Sequence, residues 1–174
     1  MGGTMQIKEN SLCTKAVNII EKLQDHYPDA HIALTFNTPF ELLVATILSA
    51  QCTDKRVNEI TEVLFKLYST PRDFAEITQE QLEKLIFSAG FYKMKAKHII
   101  ETARMIVSDF GGKVPNTMDD LTKLPGVGRK TANVVLGHCF GIDGIVVDTH
   151  VKRISNRLGL AVGNTPEKVE FELM

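Results

Sequence analysis

Cysteine is scarce in this chain. Cys13, Cys52 and Cys139 are far apart and form no CxxC pair. That spacing argues against a disulfide framework or a zinc site, and it reads as small buried apolar residues in a reducing compartment. Long apolar runs are missing too. The longest, residues 40–50, contains Glu41 and Thr46 and falls well short of the roughly 20 residues of a membrane span. The first ten residues, MGGTMQIKEN, carry no signal-peptide pattern. No strand set and no internal repeat can be recognised. These absences exclude membrane-embedded, secreted disulfide-rich and zinc-ribbon classes, and they leave a helical protein expected in the cytoplasm. Net charge, at −1, does not by itself point to a polyanionic partner.

Hydrophobic residues make up 44 % of the 174 positions, enough for a real core in one domain or two small ones. The charges are polarised along the chain. Residues 90–157 hold eleven Lys and Arg against six Asp and Glu, a local +5, while the rest holds nine against fifteen, or −6. Such a chain can present a basic face, although scattered solvated lysines would give the same count.

Helical periodicity runs almost throughout. Leu12, Ala16, Ile19, Ile20 and Leu23 share one face of a helix over residues 10–25. Thr38-Pro39-Phe40-Glu41 predicts a helix start with a capping box, opening a helix so apolar that it should be central. Asp54 is placed to cap a third helix, to about residue 68. Thr78 with Gln81 repeats the box, and that helix is expected to stop at Gly90. A long helix follows over 92–110, then a GGKVPNT loop at 111–117, a short helix over 118–123, and helices over 129–140 and 148–158. Residues 145–147 read as a brief extended piece, and Thr165-Pro166 opens a last helix. The expected class is all-α, with nine or ten short helices.

The sharpest local signal is Leu124-Pro125-Gly126-Val127-Gly128 between two short helices. Two glycines allow positive φ and close approach. Val127 can tuck under the turn, so that amides at a positive helix end point outward as a phosphate site. A plain glycine-capped turn is the simpler account of a lone GxG. However, Arg129 and Lys130 follow at once, where the helix dipole disfavours each cation by about 0.3–1 kcal/mol. A sequence that keeps them there is using them.

LPGVGRKTANVVL, with VVDTHVKRISNRLG after it, resembles the endonuclease III family of helix-hairpin-helix base-excision enzymes. PFELLVATILSAQCTD at 39–54 and GFYKMKAKHII at 90–100 resemble two further blocks of that family, in its order. The likeness runs from about residue 39 to residue 158. It implies a helix-hairpin-helix glycosylase fold with two helical lobes and the DNA cleft between them. Residues 32–142 would form the central domain with the hairpin, and residues 1–31 with 143–174 an incomplete second one.

What the resemblance implies chemically is a bifunctional glycosylase and abasic-site lyase acting on oxidised or ring-saturated pyrimidines. Lys130 would be the nucleophile. An amine can displace the base at the anomeric carbon and then, as a Schiff base, permit β-elimination. It must be unprotonated to attack, and both the helix start and Arg129 work against a cation there. Asp148 would accept a proton and stabilise the developing sugar cation. From the residues alone it is an ordinary N-cap, and it can be both. Base extrusion needs a filler and a wedge. By resemblance these are Gln51 and Phe91, the latter where the family often has an aliphatic residue. Leu124, Gly126, Val127, Gly128 and Arg129 would hold the backbone, with Arg153 in phosphate contact. Arg157 shares a face with Arg153, and His150 reads as a local hydrogen-bonding residue.

The family's four cluster cysteines have no counterpart here, so this chain encodes no cofactor and no metal site. A [4Fe–4S] cluster is expected only with a further C-terminal segment. Without that segment, Val169, Phe171 and Leu173 should expose apolar surface. The implied partner is double-stranded DNA with damaged bases or abasic sites, met by a monomer in the cytoplasm, nucleoid-associated if bacterial. A monofunctional mismatch glycosylase and a non-catalytic DNA-binding hairpin module are the alternatives.

Overall fold

A computed structural model of the chain describes the backbone of residues 3–174 and the side chains from Ser11 onward. Every regular element among them is helical. In order these are α1 (Gly3–His26), α2 (Pro39–Ser49), α3 (Asp54–Leu67), α4 (Pro71–Glu76), α5 (Gln79–Leu85), a 3-10 turn (Phe87–Ala89), α6 (Tyr92–Asp109), α7 (Met118–Leu121), α8 (Arg129–Phe140), α9 (Thr149–Leu158) and α10 (Pro166–Leu173). No helix among the described residues is long and apolar enough to cross a membrane. The chain divides into two compact units, Ala33–Val146 and Met1–Ile32 with Val147–Met174.

The larger unit is organised around α2, where Phe40 and Leu42 through Ala45 are buried with Ile47 and Leu48. The physical reason is the one expected: a helix apolar on every side must sit inside. α3, α6 and α8 pack on it, α4 and α5 lie on α6, and α7 lies on α8. Truncating a fully buried leucine such as Leu43 in a helix of this kind costs about 2–5 kcal/mol.

Threonine caps start most of these helices. Thr38 Oγ1 accepts from Glu41 N at 3.1 Å. The expected box is altered, because the Glu41 carboxylate turns to Asn37 N at 2.6 Å instead of to Thr38 N. The α3 cap is Thr53, not Asp54, which occupies the first helical turn. One helix went unread: Thr70 and Asp73 form a capping box that opens α4, a six-residue element too short to show periodicity. The helix over 79–89 breaks at Leu85 into the 3-10 turn before Gly90. Residues 145–147 form no strand.

In the smaller unit α9 packs on α10. Glu172 Oε2 accepts from Val162 N and Gly163 N at 2.7 and 2.9 Å, fastening the turn between them. The expectation of exposure fails for Val169, which is fully buried, and holds for Phe171, which is 66 % exposed; Leu173 is half-buried. On α1, Ala16 and Ile19 are half-buried, while Leu12, Ile20 and Leu23 are exposed.

Candidate nucleic-acid interface and catalytic residues

The hairpin belongs to the larger unit. Leu124 N donates to Leu121 O, and Val127 N to Leu124 O, both at 3.1 Å. The Leu124 and Val127 side chains are buried and root the turn. Gly126 lies between them at φ +75. A Cβ there would meet His98 Nδ1 at 2.8 Å, so both the conformation and the space demand glycine. His98 and Thr102 of α6 form the floor, and Thr102 Oγ1 donates to Pro125 O at 2.8 Å. Gly128 has a different reason: its φ is −94 and a Cβ would meet nothing within 4 Å. What glycine contributes at this N-cap is the lack of a capping oxygen, and α8 opens with no side-chain cap. The first-turn amides of a helix have no partner within it, and at the start of α8 no side chain caps them. Arg129 is half-buried and Lys130 exposed on that first turn. Asn133 of α8 is buried and donates to Ile145 O at 3.2 Å, holding the segment that leaves the helix.

Asp148 is in the smaller unit, at the N-cap of α9. Its Oδ1 accepts from His150 N at 2.9 Å and Val151 N at 2.8 Å. The cap expected from the sequence is therefore real, and it fixes the carboxylate rotamer. Arg153 and Arg157 are exposed on α9, and His150 is exposed.

Gln51 and Phe91 return to the larger unit. Both are exposed, and both are left-handed, at φ +53 and +48. They are the non-glycine residues with positive φ among those described. A left-handed non-glycine residue costs on the order of 1–3 kcal/mol, and such strain clusters at functional sites. Between them lies a residue that sequence reasoning missed. Lys95 of α6 is 5 % exposed, and its Nζ donates to Leu48 O at 2.8 Å and Ala89 O at 2.6 Å. Burial pushes its pKa below the ordinary lysine value, with Cys52 acting weakly the other way. A buried ammonium survives when its protons meet acceptors. The signal was present in the spacing: Lys95, Ile99, Thr102, Ala103 and Ile106 form one helical stripe, and its first member is charged.

The basic excess of residues 90–157 is thus smaller at the surface than the count suggests. Lys95 is internal, Lys123 pairs with Asp120 at 2.7 Å, and Lys97 approaches Glu101 at 3.9 Å. Of the cysteines, Cys13 is exposed, against expectation, and Cys52 and Cys139 are partly buried; burial raises the Cys139 thiol pKa. The three are single residues of α1, the α2–α3 turn and α8. No metal-holding group of His, Cys, Asp and Glu forms among the described residues. The described residues do not fit an iron–sulfur cluster.

Residues 44–174 match the model of the HhH-GPD superfamily base excision DNA repair protein. Endonuclease III of Synechocystis sp. is 51 % identical over 161 residues, which are 92 % of this chain and 74 % of that protein. A solved non-covalent endonuclease III–DNA complex matches with a TM-score of 0.88 at 45 % identity, covering 92 % of this chain and 76 % of the other. A trapped endonuclease III–DNA covalent intermediate, an estranged-adenine complex, matches with the same figures. The chain spans about three quarters of the length of these relatives.

Proposed function

The chain belongs to the HhH-GPD superfamily of base excision DNA repair proteins, as a DNA glycosylase and abasic-site lyase of the endonuclease III kind, and on that premise we propose that Lys130 is its nucleophile and Asp148 the carboxylate that serves it. The observation that carries this reading is the start of α8. Lys130 is exposed in the first turn of a helix with no side-chain cap, directly after a glycine hairpin floored by His98 and Thr102. The uncapped amides take a DNA phosphate, and the Lys130 amine, at the end of four methylenes, reaches the neighbouring sugar. The Nζ lone pair forms a bond to the anomeric carbon as the glycosidic bond breaks and the base leaves with the electron pair. Asp148, held by two amides of α9, takes the amine proton and faces the cationic sugar with a fixed charge. The C1′–O4′ bond then breaks as the nitrogen lone pair forms the iminium, with O4′ taking the proton held by Asp148. The iminium acidifies C2′, so a C2′ proton and the 3′ phosphate are lost by β-elimination.

In this reading Gln51 fills the gap left by the extruded base, Phe91 wedges the stack, and Arg153 contacts a phosphate. The solved complexes of endonuclease III with DNA support double-stranded DNA as the partner. The proposed substrates are oxidised or ring-saturated pyrimidines and abasic sites, met by a monomer in the cytoplasm.

Borohydride trapping on a duplex with one abasic site tests the assignment. The chain should give a covalent adduct, and Lys130→Gln should lower the yield by roughly a thousandfold, the scale of losing a nucleophile. An undiminished adduct in the variant removes Lys130 from the reaction. Salt-sensitive duplex binding without any adduct leaves a binding module.

A further inference from the structure

We propose that Lys95 is a positioning residue, which sets the Gln51 and Phe91 turns at a fixed separation so that filler and wedge enter one gap in the duplex together. The inference rests on the roles proposed above for those two residues. Its geometry is independent of them.

Lys95 Nζ holds Leu48 O, three residues before Gln51, and Ala89 O, two residues before Phe91. Its backbone N donates to Phe91 O at 3.1 Å. One residue therefore grips carbonyls on the approach to both strained turns, across a sequence separation of 47 residues to the first. The carbonyl it takes from α2 is among the last four of that helix, which have no partner within it. Ala89 O belongs to the 3-10 turn that leads through Gly90, φ +62, into left-handed Phe91. A neutral apolar side chain of the same length would leave two carbonyls unsatisfied in a buried place and untie the turns from each other. Backbone strain persists only where the surroundings over-determine it, and Lys95 supplies that determination at both positions. The charge is spent inside the protein: Lys95 is too buried to reach a phosphate.

The test compares Lys95→Met with the unchanged chain on two DNAs, following folding by circular dichroism and thermal melting. One is a duplex with a single 5,6-dihydrouracil, a ring-saturated pyrimidine, with 2-aminopurine beside it to report unstacking. The other is a duplex with a preformed abasic site. Excision and the unstacking signal should fall at least tenfold, while borohydride trapping at the abasic site falls no more than about threefold. In a Gln51→Ala/Phe91→Ala background Lys95→Met should add nothing, because it acts through those residues. A parallel loss of all three signals, or a full additional loss in that background, assigns Lys95 to stability alone and overturns the proposal. If Gln51→Ala/Phe91→Ala itself excises normally, the roles of filler and wedge fall, and this inference with them. Should Lys95→Met not fold, Lys95→Gln, which keeps a donor amide, carries the same comparison.

Discussion

From α2 onward, the α-helix starts among the described residues fall into two kinds. α2, α3, α4, α5, α7, α9 and α10 each begin with a side chain that accepts their own amides: six threonines and Asp148. α6 and α8 begin with none, at Phe91 and Gly128. In each capped start a side chain satisfies one or two of the helix's own first amides. The two starts without a side-chain cap are those of the proposed wedge and of the hairpin, where the proposed function places the DNA. Asp148 is the instructive case on the other side: it caps its helix and, in doing so, has its carboxylate held in place by His150 N and Val151 N.

The comparison can be broken first at Asp148. Asparagine caps as well as aspartate but carries no charge. Asp148→Asn should lower excision by about 10²–10⁴-fold, the scale of a general base, with the melting temperature nearly unchanged. Equal activity in that variant would reduce Asp148 to a cap. Gly128→Ser sharpens the contrast from the other end. The backbone tolerates the side chain, and its hydroxyl would close the α8 start. Stability should rise by a few tenths of a kcal/mol while affinity for a duplex, measured by anisotropy at low salt, falls several-fold. A more stable variant that binds DNA equally well would show that those amides are not used. The smallest effect is expected at a start with no role in binding. Thr70→Ala should cost about 0.5–2 kcal/mol in chemical denaturation and leave duplex affinity alone. Its box partner Asp73 is held below the ordinary carboxylate value of 3.8, first by the Thr70 backbone amide. The folded state therefore binds its proton less readily than the unfolded one, and its stabilisation is present above pH 3.8 and lost as pH falls through the depressed value. The stability gap to Asp73→Asn should narrow below that pH; a gap constant to pH 2 would contradict this.

Local rules made much of the molecule legible. α8 has the limits expected from residues 129–140, and α6 and α9 lie within a residue of theirs, because glycine stops and caps act over three or four positions. The cap of α3 was misplaced by one residue, since Thr53 and Asp54 are both good caps and only backbone conformation chooses between them. α4 was missed because a single turn and a half has no period to detect. The hairpin was visible as a motif, but not the reason for Gly126, which is His98 beneath it, 28 positions earlier.

What the sequence determined by itself is the helical class and the hairpin, since each is written in short runs of residues whose propensities agree; the candidates Lys130, Asp148, Gln51 and Phe91 came from the resemblance of such runs to the endonuclease III family. Tertiary structure alone decided that Gln51 and Phe91 are left-handed, that Lys95 is internal and joins their turns, and that Val169 is buried. Those outcomes depend on which carbonyls and which apolar faces meet across long separations in the chain, and no local propensity contains that information.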